Sequence, residues 1–147
     1  MKIVFDRPDG GTSIMSPAAQ ADVEKVLPEV KDMTAQQFVE FIRDRDAPAD
    51  AIAVRIVQDN EIPADRTFRD ALKNDLTHDK VKCVSITQDR LRREREPILA
   101  ALDVQVMQAL EKGLPTAAIV AEKNRLRDIT TMAHAGLTLD QLKALKA

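Results

Sequence analysis

Few residues in this chain could carry covalent or metal chemistry. Cys83 is the single cysteine and closes the stretch "HDKVKC", which opens with His78 and Asp79; His134 is the only other histidine. A cysteine nucleophile needs a base in hydrogen-bond reach and backbone donors for the developing oxyanion, and neither a strand-turn-helix elbow nor a glycine-rich loop adjoins Cys83. Zinc needs three or four ligands in closed geometry, and one Cys with two His lacks the paired spacing that marks such a site. The chain has four glycines, of which two fall in "PDGG", so a phosphate-cradling loop is missing as well. These residues predict no enzyme, no bound metal and no cofactor. His78 reads as a surface histidine and Cys83 as a half-buried thiol beside an extended segment.

Arginines are the second candidate. Arg90, Arg92, Arg93 and Arg95 cluster in "QDRLRREREP", a pattern that raises nucleic-acid binding. Asp89, Glu94 and Glu96 interrupt the cluster, and the chain has no Tyr or Trp for base stacking, so nucleic acid is disfavoured as a partner. Alternating charge on a long helix instead suits the choice and register of a protein partner through ion pairs. A second pair, Arg66 and Arg69, flanks Phe68 in "EIPADRTFRDA". That stretch reads as a joint in which Phe68 plugs the gap between sheet and helices, with the two arginines available to a docking protein.

Those side chains need elements to hold them. Hydrophobic residues are 44% of 147 but aromatic ones only 3%, so the core must rest on aliphatic side chains. No run of about eighteen apolar residues suggests a membrane span. "MKIVFDR", "PDGG" and "TSIMS" predict two strands around a tight turn. "SPAAQADVEKVLPEV" suggests a short helix capped by Ser16, with Pro17 in its first turn. Thr34 and Gln37 form a capping box, Met33 can staple onto Phe38, and a helix follows over about residues 35–45 with Phe38, Phe41 and Ile42 on one face. "AIAVRIVQ" predicts a third strand.

Beyond Pro63 the pattern turns helical. Asp65 should cap a short helix through "DRTFRDALKND", "KVKCVSI" should be extended, and a long helix should run over about residues 87–112 with Leu91, Ile98, Leu102, Val106 and Leu110 recurring along it. Pro97 predicts a kink or a boundary there. Gly113 caps the helix and Pro115 opens the next, on which Ile119, Leu126 and Ile129 share a face; the two make an αα-hairpin. "LTLDQLKALKA" repeats the capping box with Thr138 and Gln141 and staples Leu137 onto Leu142. Charge divides in the same way: residues 1–64 hold 7 Lys/Arg against 12 Asp/Glu, residues 65–147 hold 15 against 12. The expectation is an α+β protein with a β-β-α-β module over residues 1–63 and a helical module over 64–147, comprising a joint helix, the αα-hairpin and a short terminal helix.

"EIPADRTFRDA", "DRLRREREPILAALDVQVMQALEKG", "EKNRLRDIT" and "LTLDQLKAL", in that order, resemble a family of small proteins encoded near the tail-fibre genes of bacteriophages and prophages. The resemblance covers roughly residues 50–147, and its central and C-terminal parts are also similar to the C-terminal region of phage tail assembly chaperones, in which an arginine-rich start leads into a stretch like "REPILAALD" here. Where relatives carry an aromatic residue after "FRDA", this chain has Leu72. The resemblance implies a non-enzymatic virion adaptor that binds a tail-fibre or tail-tip protein, or an assembly chaperone absent from the mature virion; a small DNA-binding regulator is the remaining alternative. It places the protein in the host cytoplasm during assembly, and in the virion tail if it stays as an adaptor. Arg66, Phe68, Arg69, Arg90, Arg92, Arg93 and Arg95 are the candidate contacts, and association with further copies of the chain stays open.

Overall fold

Strands β1 (Lys2–Asp6) and β2 (Thr12–Met15) pair antiparallel with Ile3 opposite Met15 and Asp6 opposite Thr12. The turn between them closes through Arg7 N–H to the Gly11 carbonyl at 2.7 Å, and Gly10 takes φ +79°, a conformation that costs glycine little. The computed structural model describes residues 1–147 and confirms the α+β class. A third strand, β3 (Ile52–Val57), pairs antiparallel on the other side of β1, giving the order β2-β1-β3 with a register shift between Val4 and Asp6. The chain divides into two compact units, residues 1–79 and 80–147.

Side chains alternate across a strand, so the central β1 has two faces to cover. Ile3 and Phe5 point to the first, where they join Val30, Phe38, Val39 and Ile42 in one core cluster. Helix α2 (Ala35–Asp46) supplies Phe38, Val39 and Ile42 at helical spacing. Its predicted capping box is present: Gln37 N–H donates to the Thr34 hydroxyl at 3.3 Å and Thr34 N–H to the Gln37 carboxamide at 2.9 Å. Met33 lies partly buried against the same cluster. The helix expected after Ser16 shrinks to α1 (Gln20–Val23), preceded by Ala19 with no side-chain cap. Gln20 anchors the stretch by donating to the Val30 and Met33 carbonyls at 2.7 and 2.9 Å, so one carboxamide holds what helix propensity does not.

The second sheet face explains the stretch expected to be a joint. Val4 is wholly buried and Val57 nearly so, on the side of the sheet opposite Ile3 and Phe5. Residues 62–79 belong to this unit, and several of them meet that face. Arg55 of β3 donates to the Asn74 carbonyl and carboxamide oxygens, each at 2.9 Å, and Asn74 donates back to the Ala53 carbonyl at 2.9 Å. Ile14 of β2 shares a shallow cleft with Ile62, Pro63, Leu72 and His78. The expected boundary at residues 63/64 therefore falls inside the first unit, and the stretch is a covering layer rather than a hinge.

No helix runs through "DRTFRDALKND". Asp65 accepts Thr67 N–H at 2.8 Å and so spends its carboxylate on a local turn, and only Arg69–Ala71 form a single 3-10 turn. Asp75 does the same, accepting the Thr77 N–H at 3.0 Å and its hydroxyl at 2.6 Å, while Leu76 takes φ +65°. Leu72 then bridges to His78 in an isolated antiparallel pair. Charge follows this boundary more sharply than the expected one: residues 1–79 carry 10 Lys/Arg and 16 Asp/Glu, residues 80–147 carry 12 and 8.

The second unit is helical. Helix α3 (Lys80–Glu111) begins well before the expected residue 87, since "KVKCVSI" is helical and not extended. Cys83, Thr87 and Leu91 recur every fourth residue and are all buried, so tertiary packing of one face overrides the strand preference of Val81, Val84 and Ile86. Asp79, just before it, is of the type favoured at an N-cap. The helix also passes through Pro97 without a break, so of the kink or boundary expected there the boundary is absent. Helix α4 (Ala117–Asp128) and α5 (Leu139–Ala144) complete the unit. Pro115 stays outside α4, whose N-cap position is Thr116. No helix is long and apolar enough to cross a membrane.

Candidate interaction surface

Helices α3 and α4 form the predicted hairpin, and its turn has a specific cause. Leu114 N–H donates to the Ala109 carbonyl at 2.8 Å and Gly113 N–H to the Leu110 carbonyl at 3.1 Å, the paired bonds of a Schellman end, with Gly113 at φ +65°. Leu91, Ala109, Leu126 and Ile129 are buried in this unit, and Lys123 of α4 forms an ion pair with Asp103 of α3. Helix α5 carries the second predicted capping box, with Gln141 N–H donating to the Thr138 hydroxyl at 3.2 Å and Leu142 buried behind it.

The four clustered arginines divide by direction. Arg90 donates to the Leu142, Leu145 and Lys143 carbonyls at 3.0, 2.7 and 3.3 Å, and its Nε lies 3.4 Å from Glu94. Arg95 donates to the Leu126 and Arg127 carbonyls at 3.2 and 2.9 Å and to the Thr130 hydroxyl at 2.6 Å. Both meet the last carbonyls of a neighbouring helix, which lack intrahelical donors and sit at the negative end of the helix dipole. Arg90 and Arg95 thus clamp α5 and α4 onto α3, which corrects their reading as partner contacts. Arg92 and Arg93 face outward: Arg92 pairs with Asp89 at 2.5 Å, and Arg93 reaches only the Asp89 carbonyl, at 3.3 Å. Sequence reasoning could not separate the two pairs, because the partner carbonyls lie more than thirty residues away.

In the first unit Phe68 is buried, its ring edge-on to that of His78 at 6.5 Å. It is buried within the covering layer and offers no side chain to a partner, which corrects its reading as a contact residue. Arg66 and Arg69 remain at the surface, Arg69 paired loosely with Asp70 at 3.4 Å.

What sequence reading missed is the apolar outer side of the hairpin. Val104, Met107, Leu110, Leu114 and Val120 are all exposed, with Met107 at 60%. Of the stripe expected to pack, Leu91 is buried, Leu102 and Val106 are half-buried, and Ile98 and Leu110 are exposed. From Ile98 the row advances in steps of four, which overshoot a 3.6-residue turn, so Leu110 rotates off the buried face and Ala109 takes the seat at its end. Beside this surface Arg125 lies 2.7 Å from Glu122 and holds its carboxyl below the usual carboxylate range.

The residues first weighed for chemistry are dispersed. Cys83 is fully buried, His134 is buried with its Nδ1 unpartnered, and His78 belongs to the other unit. No group of three or more His, Cys, Asp or Glu side chains is gathered in metal-binding geometry. What the second unit offers is a helix pair with apolar and cationic side chains facing outward. No family model, curated protein or solved structure matches this chain.

Proposed function

We propose that this chain is a non-enzymatic phage tail-associated protein that binds a tail-fibre or tail-tip protein as a virion adaptor. The observation that carries this reading is the outer side of the α3–α4 hairpin, where Val104, Met107 and Leu110 are exposed on the helix that also presents Arg92 and Arg93, and Leu114 is exposed in the turn that follows. Exposed apolar groups gathered on one element mark interaction sites, and charges at their edge govern association rate and selectivity. The resemblance of residues 50–147 to tail-region proteins supplies the class of partner. The similarity of "REPILAALD" to assembly chaperones favours a second reading, in which the same surface holds the tail protein before assembly and then releases it.

The test is co-purification from phage-producing cells with the tagged chain as bait. Arg92→Glu combined with Arg93→Glu should weaken capture of the tail-fibre or tail-tip protein and leave the melting temperature nearly unchanged. Mass spectrometry of purified virions separates adaptor from chaperone. A salt-dependent shift of duplex DNA with no tail protein captured would replace both readings with a DNA-binding regulator.

A further inference from the structure

We infer that the outward face of α3 is a self-recognition surface on which a second copy of this chain docks antiparallel. Arg93, Pro97, Ala100, Val104, Met107 and Glu111 are all exposed and follow one another at alternating steps of four and three residues. That is the spacing of a coiled-coil seam, which keeps one stripe of a helix facing a partner helix. The seam lies opposite Leu102, Val106 and Ala109, which turn inward, and it spans roughly 27 Å at the helical rise per residue.

The order of residues along the seam selects the occupant. An isologous pair places each residue against its counterpart about a two-fold axis, so that a contact from one copy is returned by the other. With the axis level with Leu102, Arg93 meets Glu111 of the second copy, Pro97 meets Met107, and Ala100 meets Val104. Charge is complementary at both ends, and each larger side chain faces a smaller one. A parallel pair instead sets Arg93 against Arg93 and Glu111 against Glu111, and leaves Ala100 facing Ala100 across a gap. Asp103, which flanks the seam near the axis, is already neutralised by Lys123 of its own chain. A seam of this length sits at the small end of specific interfaces, so the pair is a weak, reversible dimer.

Sedimentation equilibrium of the purified full chain, from micromolar to near-millimolar concentration, tests this without any tail protein, so its outcome is separable from that of the functional reading. The expected result is a reversible monomer–dimer equilibrium whose dissociation constant rises about tenfold or more in Met107→Glu, with helicity retained because Met107 is a surface residue. Arg93→Glu and Glu111→Arg should each weaken the dimer, and their combination should restore it. A monomer at every concentration, a dimer indifferent to Met107→Glu, or a double exchange that fails to rescue would overturn the proposal.

Discussion

Arg95 Nη1 lies 2.6 Å from the hydroxyl of Thr130, and Thr130 in turn donates to the Arg127 carbonyl at 3.1 Å. One guanidinium on α3 thereby closes the end of α4, taking two main-chain carbonyls along with the hydroxyl. An arginine in a charged surface run is usually expendable; this one completes a helix terminus.

Arg95→Ala should therefore destabilise the helical unit by about 1.5–3 kcal/mol, the range for hydrogen bonds to a charged group, whereas Arg93→Ala should change stability by less than about 0.5 kcal/mol. Urea denaturation followed by circular dichroism measures both. Equal effects would mean that the Arg95 clamp contributes no more than a surface charge.

Phe68→Ala should cost about 3–5 kcal/mol, because a residue that is 2% exposed loses its transfer energy and leaves a cavity beside His78. The measurement is the denaturation midpoint. An unchanged midpoint would show that the covering layer is not anchored through this ring.

Asp75 gives the first unit a pH dependence of known sign. Hydrogen bonds from the Thr77 hydroxyl and N–H hold its carboxyl below the ordinary value, chiefly the hydroxyl bond. A carboxyl lowered in the folded state contributes stability that is present above its unfolded pKa, about 4, and lost as pH falls through the folded value. Asp75→Ala should remove that contribution near neutral pH and make the acid limb of the stability curve less steep. Parallel limbs for the two proteins would refute the assignment.

Local chemistry made much of this molecule legible in its sequence. The hairpin around Gly10, the capping boxes of Thr34 and Thr138 and the turn at Gly113 all rest on interactions within a few residues, so residue type and spacing suffice to predict them, and the β-branched run at Ile52–Val57 announces a strand though not its partner. Tertiary structure decided the rest. "KVKCVSI" is helical because Cys83 and Thr87 are buried along one face of α3, an advantage that β-branched residues do not reveal on their own. "EIPADRTFRDA" covers the second face of β1 because Val4 and Val57 need burial there, and the anchoring bond runs from Arg55 to Asn74, nineteen residues on. Arg90 and Arg95 turned inward while Arg92 and Arg93 stayed out, since only the folded chain brings the open carbonyl ends of α4 and α5 within reach of a guanidinium.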